Sequence, residues 1–137
     1  MDKQEKEIEQ FIAAWPDSSQ ASRDLFARLK LQLQGFEGVN LQFVARPGVT
    51  YSLRGLCQQR DDRPLFAMID VIDDDPRWLS ICFYGDMVKD PEQRGDYVPG
   101  GLLGADGICF DLDAGNEDSL AYVMARIDEA YRAACSA

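Results

Sequence analysis

At Val39 the spacing of apolar residues changes from a helical period to a period of two, and near Leu120 it changes back. A chain patterned this way has to place helices at both ends of a sheet-forming middle. Ile8, Phe11, Ile12 and Trp15 stand at i, i+3, i+4 and i+7, one stripe of a helix over about residues 3–15 that Pro16 closes. Asp17 with Gln20 three residues on has the form of a capping box, and Leu25, Phe26, Leu29 and Leu33 carry a second helix to Gly35.

In the middle, Leu41, Phe43 and Ala45 alternate with Asn40, Gln42 and Arg46. Beyond the Pro47-Gly48 turn, Tyr51 and Leu53 alternate with Ser52 and Arg54, which predicts a hairpin. Residues 65–72, LFAMIDVI, are apolar on both faces and read as a central strand. The Asp73-Asp74-Asp75-Pro76 tract turns the chain into a returning strand, Trp78 to Tyr84. A fifth strand, Ile108 to Leu112, follows a loop of more than twenty residues. Asn116 then caps a last helix, whose stripe is Leu120, Val123, Met124, Ile127, Tyr131 and Ala134. Strands joined by short turns are antiparallel, and helices at the two chain ends can share one face of their sheet. The expected fold is a single α+β domain over residues 1–137, a two-layer sandwich. It has a roughly five-stranded antiparallel sheet, two N-terminal helices and one C-terminal helix. Leu41, Phe43, Leu53, Ile69, Val71, Leu79, Ile81, Phe83, Ile108 and Phe110 form its expected core.

Composition narrows the chemistry mostly by exclusion. The 137 residues include no histidine, which removes Ser-His-Asp and Cys-His catalysis, Cys/His zinc sites and the two-His iron site. Lys plus Arg number 14 against 24 Asp plus Glu, a net charge of −10 that argues against nucleic acid as a partner. The acidity is uneven: residues 95–137 alone carry −6. No run approaches the roughly 18 uninterrupted apolar residues of a membrane span. The start, MDKQEKEIEQ, is charged where a secretory signal is apolar, so a cytoplasmic setting is expected. Cys57, Cys82, Cys109 and Cys135 form no close pair, and they read as buried reduced thiols that pack as small hydrophobes.

If the expected core faces the helices, the opposite sheet face displays Arg46, Arg54, Phe66, Met68, Asp70, Trp78, Ser80, Cys82, Tyr84, Cys109 and Asp111. That mixture is too apolar for a freely solvated surface and marks a place of association. The leading expectation is a binding or interaction module that self-associates into a homodimer through this face. The alternatives are cover of the face by the 85–106 loop, and a small-molecule binder or unassigned enzyme. In the binder, Arg46 and Arg54 would pair with an anionic group, and Phe66, Trp78 and Tyr84 would wall a cleft under the 85–106 loop. The Asp73–Asp75 run has hard-cation chemistry, but it lacks the Asp-x-Asp-x-Asp-Gly loop and reads as turn punctuation. Gly100, Gly101 and Gly104 lack the Lys-Ser/Thr ending of a phosphate loop. Asp70, Asp111 and Asp113 are available carboxylates with no separation set by the sequence. No catalytic residue, metal ligand or cofactor is assigned.

The strand pair PLFAMIDV and RWLSICFY, the glycine-rich loop that follows and the closing helix SLAYVMARIDEAYRAA resemble the small bacterial YjbR/MmcQ-like proteins, over roughly two thirds of the chain. The resemblance implies a compact α+β plan and brings no catalytic residues. One departure stands out: Arg63-Pro64 precedes the strand at Leu65, where members of that family often carry a lysine.

Overall fold

In the computed structural model, residues 3–58, 62–112 and 117–135 are described. The first helix, α1, spans Lys3–Ala13 and lies along the first strand. A single 3₁₀ turn, Asp17–Ser19, leads into α2 at Gln20–Gln34. The strands are β1 Val39–Arg46, β2 Thr50–Cys57, β3 Leu65–Ile72, β4 Trp78–Tyr84, β5 Asp96–Leu102 and β6 Ala105–Leu112. The last helix, α3, is Glu117–Cys135. All neighbouring strands are antiparallel, in the order β1-β2-β3-β4-β6-β5.

The helices cover one face of this sheet. Phe11 of α1 meets Phe43 of β1, with ring centroids 5.2 Å apart. Tyr122 of α3 meets Phe110 of β6 at 6.0 Å. Eight of the ten expected core residues are buried here, while Leu41 and Ile108 are partly buried. Burial of this many large aliphatic and aromatic side chains supplies the main driving force for folding.

Four expectations are corrected. The sheet has six strands, because β5 lies inside the segment expected to be a loop. This strand shows no alternation of apolar residues, since Asp96 to Gly101 are all exposed at the edge of the sheet. The Asp17 capping box does not form at α2. Ser19 stands at its N-cap without a side-chain cap, and its hydroxyl accepts the Arg77 amide at 2.9 Å instead. Asn116 and Asp113 lie outside the described residues.

Phe66 is the third correction, and the most instructive. Strict alternation with Met68 and Asp70 put it on the face away from the helices. The β2–β3 register pairs Gly55 with Ala67 and then Leu56 with Leu65, so Phe66 is an extra residue on β3, a bulge. Its fully buried ring turns to the helix side, 6.0 Å from Phe36 and 5.7 Å from Tyr131. Gly55 makes this possible, because a Cβ there would come within 2.9 Å of the Phe66 ring. Leu65 takes the position on the other face that Phe66 was expected to hold.

The fourth correction concerns the thiols. Cys82 and Cys109, directly opposite on β4 and β6, form a disulfide, and Cys57 and Cys135 take no part in one. No described helix is long and apolar enough to cross a membrane.

Candidate functional site

The second face of the sheet is partly roofed by its own edge. The chain leaves β4, makes a connection over residues 85–95 and returns as β5. The later part of the connection is tied to α3. Asp90 accepts hydrogen bonds from the Tyr122 hydroxyl and from the amides of Arg94 and Gly95. Burial opposes the charge of Asp90, but these hydrogen bonds outweigh it and hold the carboxyl below its ordinary range. Arg94 lies over the Tyr122 ring at 4.6 Å and reaches Asp118 at 2.8 Å.

Beyond this anchor, β5 and β6 form a hairpin whose loop is Leu103-Gly104, flanked by the pair Leu102 and Ala105. Both loop residues have positive φ, 51° for Leu103 and 86° for Gly104, the conformation that a tight two-residue turn demands. Asp106 braces the turn by accepting hydrogen bonds from the Tyr97 hydroxyl at 2.7 Å and the Gly100 amide at 3.0 Å. Leu102 is buried, and Leu103 is 66% exposed. The tip lies over β1, β2 and β3, and Met68, Cys82 and Tyr84 of the sheet face are buried in the single chain.

Two hollows remain between tip and sheet. The first, about 220 Å³, is lined by Arg46, Thr50, Ser52, Arg54 and Asp70 below and by the tip residues Gly101 to Leu103 above. The second, about 340 Å³, is lined by Leu56, Pro64, Leu65 and Tyr84, with Gln42, Asp62 and Arg63 also contributing. Arg54 and Leu103 line both. Arg54 is half-buried, and its Nε donates to the Ser52 hydroxyl at 3.2 Å. Arg63 lies over the Tyr84 ring at 4.1 Å and pairs with Asp86 at 2.7 Å. Asp70 is held above its ordinary carboxylate value by burial. The hydrogen bond from Ser52 and the charges of Arg54 and Arg46 act in the opposite direction without cancelling that effect.

The five residues singled out from sequence therefore divide. Arg46, Arg54 and Tyr84 come together along this groove. Phe66 is in the helix-side core. Trp78 stands at the far end of β4, where its indole Nε1 donates to Asp74 at 2.6 Å. There it lines a separate hollow of about 650 Å³ with Ser18, Ser22 and Pro76. The acids of the β3–β4 turn are engaged there as well: Arg77 bonds Asp73 at 2.9 Å and Ser18 bonds Asp75 at 3.1 Å. Sequence reasoning missed Leu56, Leu65 and Leu103. The Leu102-Leu103 pair between Gly100-Gly101 and Gly104 is the signal that pointed to an apolar turn tip.

The groove has the chemistry of a polar hollow with two cations, continuous with an apolar one. No protein-family model matches this sequence, and searches of curated proteins and of solved structures give no match.

Proposed function

We propose that the protein binds an anionic small molecule in the groove between the β5–β6 hairpin tip and the sheet. The observation that carries this reading is the state of its arginines. Arg28, Arg63, Arg77, Arg94 and Arg126 each pair with a carboxylate. Among the described residues, Arg23, Arg46 and Arg54 have no carboxylate within 4.0 Å, in a chain with ten more acids than bases, and of these three Arg46 and Arg54 line one hollow together. Two cations without ion pairs that line one hollow, together with Ser52 and Thr50, match the needs of a bound carboxylate or similar head group.

Self-association through this sheet face, the leading expectation from sequence, has less to work with. Of the apolar residues it relied on, Met68 and Tyr84 are buried within one chain, Phe66 has left the face altogether, and Trp78 stands apart at the far end of β4.

Titration calorimetry with butanoate, benzoate and citrate tests the reading on the intact protein, with Arg54→Gln alongside. At least one anion is expected to bind, and losing a charged hydrogen bond worth about 2 kcal/mol weakens it roughly thirtyfold. Absence of heat with all three, or binding unchanged in the variant, overturns the proposal. A mass by light scattering that doubles with concentration and that Leu103→Ser returns to monomer would put the homodimer in its place.

A further inference from the structure

We infer that the ligand of this groove is an amphipathic monoanion, a carboxylate with an aliphatic body of medium length. The inference rests on the anion-binding reading and goes on to name the ligand class. The groove is built in two chemically different compartments that meet at Arg54 and Leu103. One holds the cations and hydroxyls. The other is mainly apolar, with Leu56, Leu65, Pro64 and Tyr84 in its wall beside Gln42, Asp62 and Arg63. A head group alone would leave the second compartment filled with water against leucine, whereas a chain continuing from the head displaces that water.

The charge of the head is limited by Asp70, which lines the polar compartment with Arg46 and Arg54. Two arginines set against one half-buried acid leave room for one further negative charge, which favours a carboxylate over a multiply charged phosphate. The size of the body follows from the 340 Å³ hollow, near the small end of ligand cavities. At about 30 Å³ per water-sized group it accommodates at most roughly eleven carbons.

Leu103 gives the apolar compartment its roof. A leucine at φ 51° is uncommon, because a side chain is crowded in the left-handed region, and one 66% exposed leaves apolar surface in water. Both features make sense at a place where a ligand chain packs beneath that side chain. The glycines at Gly100 and Gly104 let the turn present it there.

The test is a chain-length series on the wild-type protein: butanoate, hexanoate and octanoate, with octylamine and octanol as probes of charge. Affinity is expected to rise about fourfold for each added methylene that enters the hollow, with neither octylamine nor octanol matching octanoate. Leu103→Ser, a change at an exposed turn, should flatten that dependence while the thermal midpoint stays near wild type. If anions bind with no dependence on chain length, this inference falls and the simpler anion reading stands. If octanol or octylamine binds as well as octanoate, the monoanion class is wrong. If no anion binds at all, both readings fall together.

Discussion

One sheet carries two faces that are closed in different ways. On the helix side, Leu53, Ile69, Leu79, Ile81, Phe83 and Leu112 are fully buried by elements drawn from both chain ends. On the other side, Ser52, Met68, Cys82 and Tyr84 are nearly buried, while Arg46 and Asp111 remain exposed. The difference lies in the cover. Three helices make a dry layer, whereas a single hairpin from the sheet's own edge reaches only part of the way across. A complete cover makes a core, and an incomplete one makes a groove with an apolar end and a polar end.

The sharpest way to break this comparison is a pair of substitutions on one strand. Ile81→Ala on the helix side should cost about 3 kcal/mol in urea unfolding, from lost burial and the cavity left behind. Its neighbour Ser80→Ala, on the groove side, should stay within about 0.5 kcal/mol. Comparable losses would mean that both faces are packed cores. Next in size, Leu102→Ala removes the buried contact of the hairpin tip and should cost about 2 kcal/mol. Faster amide hydrogen exchange at residues 100–104, with β3 unaffected, would locate the loss in the roof. Exchange rising equally across the sheet would show that the hairpin is no separate cover.

The smallest effect concerns Asp70, and its sign is the point. Burial raises its carboxyl above the value it has in the unfolded chain, so folding favours the protonated form. The folded state therefore binds more protons than the unfolded state between those two values, and stability falls as pH rises through them. Asp70→Asn should then stabilise the protein modestly at pH 7, with the gain disappearing below the ordinary carboxylate value. The same substitution should tighten octanoate binding, because a repelling charge is gone from beside Arg46 and Arg54. Destabilisation at pH 7 would mean that Asp70 is held by its arginines more strongly than burial opposes it.

Much of the helix-side layer was readable from periodicity, because burial on one face imposes an apolar stripe on each element. The stripes of α1 and α3 and the alternation of β1 and β2 fall where the structure has them. The groove side was less readable. β5 buries only Leu102, so nothing in Asp96 to Gly101 announces a strand. Phe66 was misplaced because counting by twos fails at a bulge, and this bulge is set by the room that Gly55 leaves across the ladder. Arg46 and Arg54 were found because regular pairing across the Pro47-Gly48 turn holds there. Tyr84 was found for the same reason on β4, whereas Trp78 shares its face and stands too far along the strand to reach the groove. Leu65 and Leu103 needed the fold itself, one moved by the bulge and the other brought over by a hairpin from the opposite edge.

The two outer strands carry a further consequence. Along β1, the amide of Phe43 is taken by the side-chain oxygen of Gln4 from α1, at 2.5 Å. At the opposite margin, β5 contains Pro99, which has no amide hydrogen, followed by two glycines that interrupt its register. A stray strand seeking a template on which to extend the sheet meets a blocked donor at one margin and a broken rung at the other. These margins guard the protein against fibrous aggregation, a protection that an acidic charge alone would lose at high salt.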